Sequence, residues 1–164
     1  MSMKLSNLNC YKEGDWFLIP LANNQYAVGL LVRGNYKNHG GLGYFWGPYQ
    51  KKPNPEMLER LTPNNAKLIA WFSGLHISNG KWPMLGCKDN FSREAWPIPF
   101  FHLQNPLAPE LGWLIEYDQN SDLKKMPISR TVRPMSELTH LPKDGLLGSV
   151  ALEHVLKKIM GVVK

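Results

Sequence analysis

Between Gly14 and Pro48 the chain lays down three short apolar runs separated by turn-forming residues, and this spacing constrains the fold more than any other feature of the sequence. Gly-Asp-Trp-Phe-Leu-Ile-Pro-Leu is followed by Ala-Asn-Asn-Gln and then by Tyr-Ala-Val-Gly-Leu-Leu-Val-Arg. A polar, glycine-rich loop separates these from Gly-Leu-Gly-Tyr-Phe-Trp-Gly-Pro. Short apolar runs at near-regular spacing predict consecutive antiparallel strands in a meander. Period-two alternation places Tyr26, Val28, Leu30 and Val32 on one face, and Leu42, Tyr44 and Trp46 on another. Gly29 lies inside the second run, where a glycine marks a bulge, a barrel corner or a close approach of backbone. With Gly40 and Gly41 it favours a small curled antiparallel sheet or partly open barrel over a flat sheet.

Composition supports a mostly β (α+β) protein. Thirteen prolines and 14 glycines are more than a helical bundle carries, and 43% hydrophobic residues offset chain entropy well enough to argue against wholesale disorder. The 164 residues suit a single domain, with residues 1–11 as a loose lead-in. A short helix is expected in Pro53–Leu61, capped by Asn54, with Met57, Leu58 and Leu61 inward. Ala66–Phe72 reads as a central strand, because both of its faces are apolar. Asn79-Gly80 predicts a hairpin joining His76–Ser78 to Lys81–Leu85. Ala95–His102 reads as a proline-bearing edge strand, and Leu111–Asp118 as a strand partnered by Leu123–Val132. Pro134–Gly145 is expected to be irregular. The chain ends in a helix from Ser149 to Met160 that covers the sheet with Leu152, Val155, Leu156, Ile159 and Met160, and Gly161 caps it.

The formal charge of +6 permits a nucleic acid, an anionic membrane or an acidic protein as partner, without choosing among them. No apolar run approaches the ~20 residues of a membrane span, and Met1–Cys10 has no apolar signal core, so the expected location is cytoplasmic. Cys10 and Cys87 are expected as reduced thiols.

No chemistry-bearing constellation stands out. The histidines His39, His76, His102, His140 and His154 have no metal-ligand spacing. Dinucleotide and Walker-type phosphate motifs and nucleophile elbows are absent from the sequence, so neither a metal nor a cofactor is expected. Gly40-Gly-Leu-Gly43 precedes a strand and lacks the helix start that a phosphate site needs. Asp15 suits a structural role at a strand start, and Cys87 a structural thiol beside Lys88. Trp16, Tyr44, Trp46, Trp71, Trp82, Trp96 and Trp113 are core candidates. Were they exposed and interleaved with cations, the chain would instead suit a small basic single-stranded nucleic-acid-binding barrel.

Six pieces occur in a recognisable order: Gly14-Asp-Trp-Phe-Leu-Ile-Pro-Leu21, Tyr26-Ala-Val-Gly29, Gly43-Tyr-Phe-Trp-Gly-Pro48, Lys81-Trp-Pro-Met-Leu-Gly86, Trp96-Pro-Ile-Pro99 and Asp144-Gly-Leu-Leu-Gly148. Together they resemble the immunity protein 26 family of bacterial polymorphic toxin systems. The resemblance implies a mostly β, non-enzymatic protein that binds a cognate toxin domain and protects the producing cell. It supplies no catalytic residues, and its motifs are scaffold: turn glycines, edge prolines and core aromatics. The basic balance leaves three arrangements open: an acidic toxin surface, a locally acidic patch on this chain, or contact away from the toxin's active site. Toxin contacts are expected on loops, at Tyr36, Lys37 and His39, and at Tyr49, Lys51 and Lys52, with Lys88, Asp89 and Arg93 as a rival location.

Overall fold

A computed structural model describes residues 10–162, so Met1–Asn9 of the expected lead-in lie outside the described residues. Among the described residues, nine strands form two sheets. The first has six strands in the order β5-β1-β2-β3-β4-β9: β1 Asp15–Pro20, β2 Tyr26–Asn35, β3 Gly40–Tyr49, β4 Leu68–Ser73, β5 Met84–Cys87 and β9 Leu146–Leu147. The second has three, β6 Phe101–Gln104, β7 Leu111–Glu116 and β8 Ser129–Pro134, in chain order. The protein is mostly β, and the two sheets do not close into a barrel.

The meander expected from Gly14 to Pro48 forms the centre, with β1, β2 and β3 paired antiparallel. Both faces of this sheet are buried. Trp16, Leu18, Val28, Leu30, Val32, Leu42, Tyr44, Trp46 and Trp71 share one core with Phe101, Ile115 and Tyr117 of the small sheet. The two alternating sets expected on β2 and β3 therefore line the same face. The other face, carrying Phe17, Ile19, Leu31, Phe45 and Phe72, is covered by Ile77, Trp82, Leu152 and Leu156. The result is three layers: small sheet, large sheet and helix.

Gly29 is not a bulge. It pairs in register with Phe17 on one side and Phe45 on the other. A Cβ there would meet Phe17 Cζ at 2.3 Å and Phe45 Cε1 at 2.9 Å, so the glycine makes room for two rings. The sheet irregularities fall elsewhere, between Tyr26 and Val28 and between Leu31 and Arg33. The β2–β3 loop is shorter than expected, because both strands run on to a single 3-10 turn at Tyr36–Asn38. Gly34 and Gly40 permit this with φ of 105° and 129°, conformations that side chains oppose.

Helix α1 spans Pro55–Glu59, and the Asn54 side chain accepts the Met57 N–H at 2.9 Å, as the cap pattern predicts. Leu58 and Leu61 are buried, but Met57 is 39% exposed, because a helix this short turns only one position fully inward. The Asn79-Gly80 hairpin does not form. Leu75–Ser78 is a helical turn, α2, whose Ile77 and Ser78 N–H groups bond Gly74 O, each at 3.0 Å. Asn79 has φ −89°, whereas the hairpin turn requires positive φ at both positions. The following segment instead tucks Trp82 against Phe17 and His76, and β5 pairs with β1. The expected edge strand begins only at Phe101, after the prolines, and β6 is an edge of the small sheet. The partner of β7 is displaced to Ser129–Pro134.

Within the stretch expected to be irregular, residues 142–144 lie parallel to His102, and β9 immediately follows parallel to Trp71 and Phe72. His102 donates to Pro142 O at 3.0 Å, and Asp144 N–H donates to His102 O at 2.7 Å. One short segment thus stitches the two sheets together. Helix α3, Ser149–Ile159, covers the large sheet with Leu152 and Leu156, both 0% exposed. Gly161 follows it with φ 67°, as its capping role predicts. Ile159, expected to face the sheet, is 46% exposed, and Glu153 accepts the Trp82 Nε1–H at 2.8 Å.

Candidate functional site

The nine loop residues singled out from the sequence do not form one patch. Tyr36, Lys37 and His39 sit at one end of β3, and Tyr49, Lys51 and Lys52 at the other. The ten residues of that strand separate the two groups by roughly 30 Å. At the first end, the Asn35 side chain accepts from Lys37 and Asn38 N–H, and His39 is exposed in the left-handed conformation. Lys37 Nζ lies 6.0 Å from the Tyr36 ring centre. At the second end, Lys51 and Lys52 are exposed, whereas Tyr49 packs on the core and burial raises its phenol pKa.

The third group is largely committed within the fold. Lys88 pairs with Glu59 at 3.2 Å and lies 5.9 and 5.8 Å from the ring centres of Trp16 and Trp96. Asp89 is exposed. Arg93 forms a bidentate pair with Glu13, with Nε and Nη2 at 2.7 and 2.6 Å from the carboxylate oxygens, and also pairs with Asp122. The Glu13 hydrogen bonds raise its pKa further above the usual range. Arg93 is therefore a tether, since its Nη1 also donates to Asn120 O at 3.1 Å.

Arg33, which the sequence reading passed over, holds the other side of the same loop. It is 1% exposed. Its Nε donates to Gln119 O at 3.1 Å, and its Nη1 to Val32 O at 2.7 Å and Trp96 O at 3.0 Å. Burial lowers its pKa, and the nearby Arg93 charge adds to that effect. The available signal was an arginine ending the apolar run Leu30-Leu-Val-Arg33, where solvation on both faces is lost. Asp144 completes the anchorage. It accepts the Tyr117 hydroxyl at 2.7 Å and lies 3.8 Å from Lys124 Nζ.

These tethers seat residues 119–125 beside the His39 turn. His39, Trp71, Leu123, Lys124 and Leu146 contribute to the walls of a cleft of about 240 Å³ between them. Beyond the cleft the chain runs directly into β8. From Leu123 to Ser136 there are four cations, Lys124, Lys125, Arg130 and Arg133, and no carboxylate. Met126, Ile128 and Val132 are 86%, 61% and 56% exposed in the same stretch. Exposed apolar side chains among cations suit a protein surface that carries acidic groups.

Asp15 plays the structural part expected of it: it is buried and accepts the Lys12 N–H at 2.9 Å. Cys10 and Cys87 are both free and exposed. Among the tryptophans, Trp16, Trp46, Trp71, Trp82 and Trp96 are 3% exposed or less, and the half-buried Trp113 lies beneath Arg130, 4.9 Å from the guanidinium carbon. These five tryptophans are thus core residues and offer no stacking surface. Among the described residues, no helix is long and apolar enough to cross a membrane.

A family model described as Immunity protein 26 matches residues 12–113, which span β1 through the first half of β7. No curated protein and no solved structure matches the chain.

Proposed function

Because the chain belongs to the immunity protein 26 family, we propose that it neutralises a cognate bacterial toxin domain in the cytoplasm by binding it and covering the surface through which it acts. The family match carries this reading. The mechanism is stoichiometric occlusion and involves no chemistry on the toxin. An interface of ordinary size buries roughly 800 Å² on each partner, a disc about 30 Å across. One such disc is no wider than the separation between the two ends of β3. We propose the contact surface at one end, on Tyr36, Lys37 and His39 with the adjoining cleft and the basic stretch from Lys124 to Arg133. Tyr49, Lys51 and Lys52 form the alternative location. Of the three arrangements left open by the overall charge, an acidic toxin surface fits best, since exposed Met126, Ile128 and Val132 alternate along the chain with Lys125, Arg130 and Arg133.

The test is co-expression with the carboxyl-terminal domain of the protein encoded directly upstream. Rescue of growth, with the two proteins co-eluting as one species, is the expected outcome. A neighbour that is toxic alone, remains toxic in the presence of this protein and never co-elutes with it would overturn the proposal.

A further inference from the structure

We propose, resting on the toxin-binding reading above, that β8 is an acceptor strand: an extended, acidic segment of the toxin adds to its free edge along Arg130–Val132. Among the described residues the small sheet ends at β8, which has β7 on one side and no strand on the other. Hydrogen bonding fixes which residues face that open side. Met135 N–H donates to Glu110 O at 2.9 Å, in the same register that pairs Gly112 with Arg133 and Leu114 with Thr131. Backbone groups alternate along an antiparallel ladder, so residues 129, 131 and 133 bond β7 while Arg130 and Val132 turn their N–H and C=O groups outward. The other edge of β7 agrees. Asn105 N–H donates to Leu111 O at 3.0 Å, which assigns the odd residues of β7 to β6 and leaves the even ones for β8.

An edge with outward N–H groups, exposed apolar side chains and preset cations is what an incoming strand needs. Arg130 lies over the Trp113 ring, so its guanidinium meets a carboxylate with little further ordering. Val132 projects on the same face, while Arg133 lies on the opposite one. The outward Val132 carbonyl is covered by Arg133 Nη1 at 3.2 Å, an exposed bond that an incoming N–H can replace. Pro134, the next outward residue, has no N–H and ends the ladder there. Charge selects the occupant. A second copy of this chain would bring two more arginines against Arg130 and Arg133, whereas a toxin segment bearing Asp or Glu pairs with them. Glu116, opposite Ser129 in the ladder, accepts the Ser129 hydroxyl at 3.3 Å.

The substitution Val132→Pro tests the proposal, because it deletes an N–H that β7 does not use. The probe is the inactivated carboxyl-terminal toxin domain encoded upstream. Its affinity should fall about 30-fold, since the partner's carbonyl loses its donor at a buried position. Thermal melting should match the wild type, and Lys158→Ala, on the helical layer, should bind normally. Independently of any variant, the Arg130 and Val132 amides of the wild-type protein should exchange more slowly with solvent in the complex than alone. Should Val132→Pro itself be destabilised, Arg130→Glu and the exchange rates decide the matter. Unchanged exchange at both amides, or wild-type affinity in a folded Val132→Pro protein, overturns the proposal. Loss of a dimer on Val132→Pro with toxin affinity intact would assign the edge to a second copy and overturn it equally. If the wild-type protein binds no toxin at all, the toxin-binding reading itself has failed; if it binds with β8 unprotected, only the strand-addition proposal has.

Discussion

Arg33 is a buried cation surrounded by carbonyls instead of carboxylates. The carbonyls of Val32, Trp96 and Gln119 share its charge, and Glu13 stands near enough to favour it. Replacing it by methionine keeps the bulk and removes every donor, so Trp96 O and Gln119 O lose their partners. Arg33→Met should cost about 2–3 kcal/mol in urea unfolding and speed amide exchange through residues 119–125. No loss of stability would mean that the loop is seated by other groups. Tyrosines make a second statement at this scale. Burial pushes the phenols of Tyr11 and Tyr44 up to about 12, against an ordinary value of 10.0. The unfolded chain gives up these protons near pH 10 and the folded protein near pH 12, so in that window the folded form holds more protons. Their stabilisation is complete below pH 10 and disappears as pH rises towards 12. A melting temperature that falls across this window, with tyrosinate absorbance rising as the protein unfolds, is the expected record. A constant melting temperature through pH 12 would contradict the burial of both rings.

At the scale of elements, α3 closes the layer over the large sheet. Leu156→Ala removes a fully buried side chain and should cost about 2–5 kcal/mol, measured by chemical unfolding. A cost below that range would mean that the helix rests loosely on the sheet. The period-3.6 pattern announced this helix, the Asn54-Pro55 pair announced α1, and alternation announced the β1–β3 meander. Each of these signals is local and strong. The elements read incorrectly depend on distant partners. Asn79-Gly80 carries the dipeptide of a hairpin, yet burial of Trp82 against Phe17 and His76 places the turn at the end of α2. Strand β9 is two residues long and parallel, with no alternation to display. The partner of β7 slips to Ser129 because residues 119–125 are held by Arg33, Arg93 and Asp144. The same limit applies to the proposed contact residues. Loop composition offered Tyr36, Lys37, His39, Lys88 and Arg93 alike, and only the fold reveals that Lys88 and Arg93 spend their charges internally.

For the whole molecule, the +6 balance acquires a location. Four cations without a carboxylate lie between Leu123 and Ser136, on one side of a three-layer protein whose aromatic side chains are mostly internal. The proposed docking therefore sets this basic stretch against an acidic surface of the toxin. The most direct test of neutralisation by occlusion is to titrate the purified toxin domain with this protein and follow the toxin's own activity. Stoichiometric occlusion predicts a linear fall that reaches zero at one molar equivalent. Complete inactivation by a small fraction of an equivalent, or full activity at an excess, would contradict it.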